Sequence, residues 1–114
     1  MLFDWTSYKN ELTKSIPDFA KLTPDSLKGY QTLSNANKEH SLLGAKMREL
    51  ISVAVAVTTR CDGCITFHSE AAIKAGASKE EIAEALGVAM AMNAGAALIY
   101  SLRAIDAVNT HSGK

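Results

Sequence analysis

Apolar positions recur at three- and four-residue steps along nearly the whole chain, the period of a helix buried along one face. Trp5, Tyr8, Leu12 and Ile16 make the first stripe, with Asp4 as its cap and Pro17 as the residue that stops or kinks it. Thr23-Pro24-Asp25 is a second start signal, followed by Leu27, Tyr30 and Leu33 on one face and broken by Ser34-Asn-Ala-Asn37. Leu42, Leu43, Met47, Leu50 and Ile51 then lead into Val53-Ala-Val-Ala-Val57. By periodicity that alternation fits a buried strand, but it continues a helical pattern without a turn and has no partner strand elsewhere, so it predicts a helix from Gly44 to Thr58.

Ala75-Gly76-Ala77 is a helix stop, and Ser78-Lys-Glu-Glu81 opens the next helix with a capping-box pattern. Ile82, Ala85, Leu86, Ala89, Met90 and Asn93 extend its face. Ala94-Gly95 is expected to loosen or break it, leaving Leu98, Ile99, Leu102, Ile105 and Val108 for a last helix before a polar tail from Asn109 to Lys114. The pattern predicts one all-α domain over residues 1–114, a bundle of about six helices with an N-terminal helical arm over 1–33 and a core over 42–108.

A helix that is apolar nearly all round must be covered on every side, which a chain of 114 residues can hardly do alone. Subunit contacts are the natural cover, so a homo-oligomer is expected. Ala85 to Leu102 carries no charge and is about long enough to span a bilayer. Its alanines and glycines, Asn93 near its middle and its capped flank favour a packed helix instead, so no membrane partner is expected.

Twelve basic residues balance twelve acidic ones, so nothing steers the chain to nucleic acid or an anionic membrane. Met1-Leu-Phe-Asp4 meets an acid at once, unlike a secretory signal, and two cysteines are too few for a secreted disulfide framework. A cytoplasmic protein is expected.

The chemistry concentrates between Thr58 and His68. If this stretch opens a helix, Cys61, Cys64 and His68 fall at i, i+3 and i+7 and share one face. Thr58 or Thr59 can cap that helix, placing Cys61 in the first turn, where unpaired backbone N–H groups favour a thiolate. Cysteines three apart can also close a disulfide with little backbone movement, so the spacing points to dithiol/disulfide redox chemistry.

Zinc is a weaker reading: a closed site needs four ligands, and only His68 and Glu49 are at hand to complete the two cysteines. Neither a metal nor a cofactor is expected. His68, one turn after Cys64, can take that thiol's proton directly or through one water. By periodicity alone Glu49, beside Arg48 and Lys46, reads as the solvated end of its helix. Trp5, Tyr8, Tyr30, Phe67 and Tyr100 read as packing residues, and His40 and His111 receive no role.

Glu49-Leu-Ile-Ser-Val-Ala-Val-Ala-Val57, then Cys61-Asp-Gly-Cys64 with His68, then Ala75-Gly-Ala-Ser-Lys-Glu-Glu-Ile-Ala-Glu84, resembles the carboxymuconolactone decarboxylase superfamily in its alkylhydroperoxidase-D-like branch. The resemblance covers roughly Leu42 to Val108 and implies an all-helical fold assembled as trimers or hexamers. It reverses the reading of Glu49, because the branch uses a Glu, two Cys and a His as a proton-relay redox site, here Glu49, Cys61, Cys64 and His68.

On this resemblance Cys64 attacks a hydroperoxide, His68 and Glu49 draw off its proton, and Cys61 resolves the product as a disulfide. The implied electron donor is a dithiol, of lipoyl or thioredoxin-like type. Physical reasoning alone leaves the order of the thiols open, since a first-turn position favours Cys61 and proximity to His68 favours Cys64. Some members carry a histidine between the cysteines, where this chain has Asp62-Gly63, and the Asp62 charge disfavours a neighbouring thiolate. The alternatives are a non-catalytic redox-sensing or binding oligomer, or a decarboxylase-type lyase, although the true decarboxylases lack the cysteine pair.

Overall fold

The computed structural model describes residues 1–113, and within them every regular element is a helix. In chain order these are α1 (Trp5–Leu22), α2 (Pro24–Ser34), α3 (Gly44–Thr58), α4 (Asp62–Lys74) and α5 (Lys79–His111). The all-α reading holds, with five helices where the pattern suggested about six.

The local signals act largely as read. The Ser7 backbone N–H donates to Asp4 Oδ1 at 3.1 Å, which caps α1 and holds the Asp4 carboxyl below its ordinary pKa. Glu81 N–H donates to Ser78 Oγ, and Ser78 N–H to Glu81 Oε1, closing the capping box of α5. At the end of α4, Gly76 takes φ +93° while Ala77 N–H reaches back to the Ala72 carbonyl, a Schellman stop.

Two breaks fail to form. Pro17 lies inside α1, which runs on to Leu22. The carbonyl that proline leaves unbonded, on Thr13, sits on an exposed stretch and can be hydrated. Gly95 stays helical within the 33 residues of α5. A lone helical glycine costs about 1 kcal/mol against alanine, too little to end a well-capped helix of alanine and leucine.

The core is small, formed where α3 packs against α4 and α5. Val53, Ala56, Ala72, Ala77 and Ala89 are buried, with Leu50, Ile82 and Leu86 packed beside them. These small residues let the helix backbones approach closely, but no large side chain is fully buried among the described residues. α3 is therefore not covered all round: Met47, Ile51 and Val55 are half exposed.

The radius of gyration is 18.9 Å, against about 13 Å for a compact 100-residue domain. The excess comes largely from α5, about 50 Å long at 1.5 Å per residue, whose second half projects beyond the core. There Leu98, Ile99, Leu102, Ile105 and Val108 stand 57–66% exposed. By length and composition alone α5 could cross a membrane.

α1 lies against α4. Lys9 pairs with Glu70, which Lys74 also reaches, and the two ammonium groups hold the Glu70 carboxyl below the usual range.

Candidate active site

The connection from α3 to α4 is three residues long and sets the site. α3 ends in a Schellman turn: Arg60 takes the left-handed conformation at φ +55°, its N–H donates to the Val57 carbonyl, and Cys61 N–H donates to the Ala56 carbonyl. The next residue to be placed is already the cap of α4. Cys61 is that cap, and its Sγ accepts the Cys64 backbone N–H at 3.1 Å.

This corrects the expectation that Thr58 or Thr59 caps α4 with Cys61 in its first turn. Both threonine hydroxyls bond back to the Val55 carbonyl, at 2.7 and 3.0 Å, and so finish α3 instead. Cys61 thus faces the open N–H groups at the positive end of α4, donors that stabilise negative charge on sulfur.

The Cys61 and Cys64 sulfurs are bonded to one another, with Cα atoms 5.2 Å apart. One turn further along α4, His68 Nδ1 lies 2.6 Å from Glu49 Oε2 on α3. The carboxylate side chain is 19% exposed and the imidazole 34%. A carboxylate only accepts, so Nδ1 is the donor of this pair; in the neutral imidazole that leaves Nε2 as the acceptor, the tautomer a proton-transfer histidine needs. The neighbours of Glu49 turn away: Arg48 donates to the Ala36 carbonyl and Lys46 pairs with Glu81.

The structure therefore joins the four residues as two pairs, Cys61 with Cys64 and Glu49 with His68. Among the described residues no hydrogen bond connects His68 to either sulfur, and neither sulfur of a disulfide has a proton to share.

Two neighbours of the site escape sequence periodicity. A Cβ on Gly63 would lie 3.2 Å from Leu12 Cδ1, so α1 is seated directly on the turn between the cysteines. Tyr30 of α2, read as a packing residue, and Leu33, read on the same apolar face, are instead 62% and 75% exposed. With His68 and Glu49 they line a cleft of about 400 Å³. A Gly between two cysteines was the one available hint of a close approach.

The family model for the carboxymuconolactone decarboxylase family matches residues 24–107, from the start of α2 to near the end of α5. The chain belongs to this family. An uncharacterised protein of Haemophilus influenzae is 51% identical over 107 residues, covering 94% of this chain and 95% of its own. An uncharacterised protein of Cupriavidus necator is 33% identical over 110 residues, covering 91% and 97%.

Among solved structures, a carboxymuconolactone decarboxylase family protein of Legionella pneumophila superposes with a TM-score of 0.72 at 34% identity, over 90% of this chain and 91% of that one. A protein of Methanobacterium thermoautotrophicum gives 0.68 at 33% identity, over 75% and 96%. The match extends the family region N-terminally of the Leu42 boundary read from the sequence, so α2, which walls the cleft beside His68, belongs to the family region.

Proposed function

We propose that this family member is a thiol-dependent peroxidase and disulfide reductase that cycles Cys61 and Cys64 between dithiol and disulfide. The observation that carries the reading is the Cys61–Cys64 bond at the N-terminus of α4 with the His68–Glu49 pair one turn away. The presence of both thiols speaks against a decarboxylase-type lyase.

In the reduced enzyme, His68 Nε2 takes the Cys64 proton while Glu49 orients the ring and balances its charge. The Cys64 thiolate attacks the peroxide: an S–O bond forms, the O–O bond breaks, and the alcohol leaves with the proton from His68. Cys61 then attacks the sulfenic acid; an S–S bond forms, the S–O bond breaks and water leaves. A dithiol donor, of lipoyl or thioredoxin-like type, restores both thiols and departs as its own disulfide. Cys64 is assigned as the attacking thiol because it is the nearer to His68 along α4.

The reading includes a homo-oligomer, trimeric or hexameric, in the cytoplasm, with neither nucleic acid nor membrane as partner and no bound cofactor or metal. The exposed apolar half of α5 supports the oligomer, since a further copy would remove it from water.

The test is titration of free thiols in the reduced protein before and after one equivalent of tert-butyl hydroperoxide, for wild type, Cys61→Ser and Cys64→Ser. Loss of both thiols in wild type, and a trapped sulfenic acid only where Cys64 is kept, support the cycle. Thiols oxidised no faster than free cysteine would overturn it.

A further inference from the structure

The cleft beside His68 has a chemical polarity that the redox residues alone do not explain. Tyr30, Leu33, Leu43 and Ile51, drawn from α2, α3 and the segment between them, give its lining an apolar part. Lys38 and Arg48 share that lining with Glu49, His68, Ser34 and Ser52. Glu49 is engaged by the imidazole, and neither Lys38 nor Arg48 has a carboxylate partner within ion-pair distance among the described residues. Arg48 donates one N–H to the Ala36 carbonyl, which fixes its guanidinium while leaving other donors free. A second hollow that Arg48 lines also has His40 in its wall. Glu39, the acid between Lys38 and His40 in sequence, is not in the cleft lining.

A volume of about 400 Å³ is within the range of roughly 300–1,000 Å³ that takes small organic ligands. A neutral alkyl hydroperoxide would use the apolar part of the lining and ignore the two cations. The geometry points to an anionic amphiphile: the substrate class is a hydroperoxide on an apolar chain that ends in a carboxylate, as in an oxidised fatty acid. Its chain lies against Tyr30 and Leu33 and its carboxylate is held by Lys38 and Arg48, at the cleft that His68 lines. This rests on the peroxidase reading for the reaction, though not for the binding.

Binding and turnover are measured separately. Octanoate and 1-octanol are titrated while the imidazole resonances of His68 are followed by NMR. Octanoate should bind roughly tenfold more tightly, the effect of two partly exposed ion pairs. Lys38→Glu should remove or invert that ratio, whereas Lys14→Ala, on exposed α1, should keep it. In thiol oxidation, linoleic acid hydroperoxide should outpace its methyl ester by a similar factor, again lost in Lys38→Glu.

Equal binding of octanoate and octanol, no binding of either, or a Lys38→Glu ratio unchanged from wild type would overturn the proposal. If octanoate binds selectively but no hydroperoxide oxidises the thiols, the carboxylate site stands and it is the peroxidase reading that falls.

Discussion

His68 Nδ1 and Glu49 Oε2, nineteen residues apart in the chain, lie 2.6 Å apart across the α3–α4 interface. The contact makes His68 dependent on a different helix for its tautomer and its orientation. Removal of the imidazole should therefore slow peroxide-driven thiol loss by about 10²–10⁴-fold, the usual worth of a positioned acid–base group. Glu49→Gln should cost less, about 10–100-fold, as expected for a residue that acts by orienting a histidine. Stopped-flow thiol oxidation of both variants checks the order, and a Glu49→Gln enzyme as fast as wild type would remove Glu49 from the relay.

Gly63 is where α1 touches the cysteine turn. A methyl there would meet Leu12 Cδ1 at 3.2 Å, the mobile end of a side chain that need yield only a few tenths of an ångström. Against that, alanine gains about 0.5–1 kcal/mol over glycine in a helix, so Gly63→Ala should leave stability nearly unchanged. Gly63→Leu has no such room and should lift α1 from α4. Limited proteolysis within residues 5–22 distinguishes the two; equal resistance in both variants would show that α1 is not seated on this turn.

The Lys9–Glu70 pair links α1 to α4, and its contribution depends on pH. Lys9 first, then Lys74, lowers the Glu70 pKa from its ordinary 4.5. A carboxylate depressed in the folded state contributes stability above its unfolded value, and that contribution disappears as pH falls through the depressed one. Amide exchange in α1 should therefore accelerate as the pH drops below about 4.5, once intrinsic exchange is corrected for. Glu70→Gln should flatten this dependence; a profile identical to wild type would mean that the pair does not hold α1.

Arg60 occupies the left-handed region at φ +55°, where a β-branched side chain is strained. Arg60→Gly should be tolerated or stabilising, and Arg60→Val should cost about 1–2 kcal/mol and loosen the Cys61 cap. Chemical denaturation of the two variants measures the difference directly, and equal stabilities would show that the turn does not demand this conformation.

The second half of α5 leaves Leu98, Leu102 and Ile105 exposed to water. If these residues form the contact between copies, Ile105→Glu should shift the sedimentation coefficient toward that of a monomer and lower the melting temperature. An oligomer unchanged in mass would place the contact elsewhere.

Local chemistry was readable from residue order because it acts over a few positions. The Asp4 and Ser78 caps, the Gly76 stop and the bounds of α3 each depend on side chains within one turn, and each stands where the pattern put it. The i, i+3, i+7 spacing likewise put Cys64 and His68 along the first turns of α4, although Cys61 is the cap of that helix and not, as expected, a residue of its first turn. The two expected breaks failed by energy: one proline and one glycine do not end α1 and α5 when the rest of each helix favours continuing.

Glu49 could not be judged from periodicity, because whether a carboxylate beside Arg48 and Lys46 meets water or an imidazole depends on which helix packs across from it. Only the approach of α4 to α3, where Val53 packs with Ala72, turned it inward. The same holds for Gly63 under Leu12 and for the cleft between α2 and His68: both join residues far apart in the chain, and no local pattern encodes such a distance.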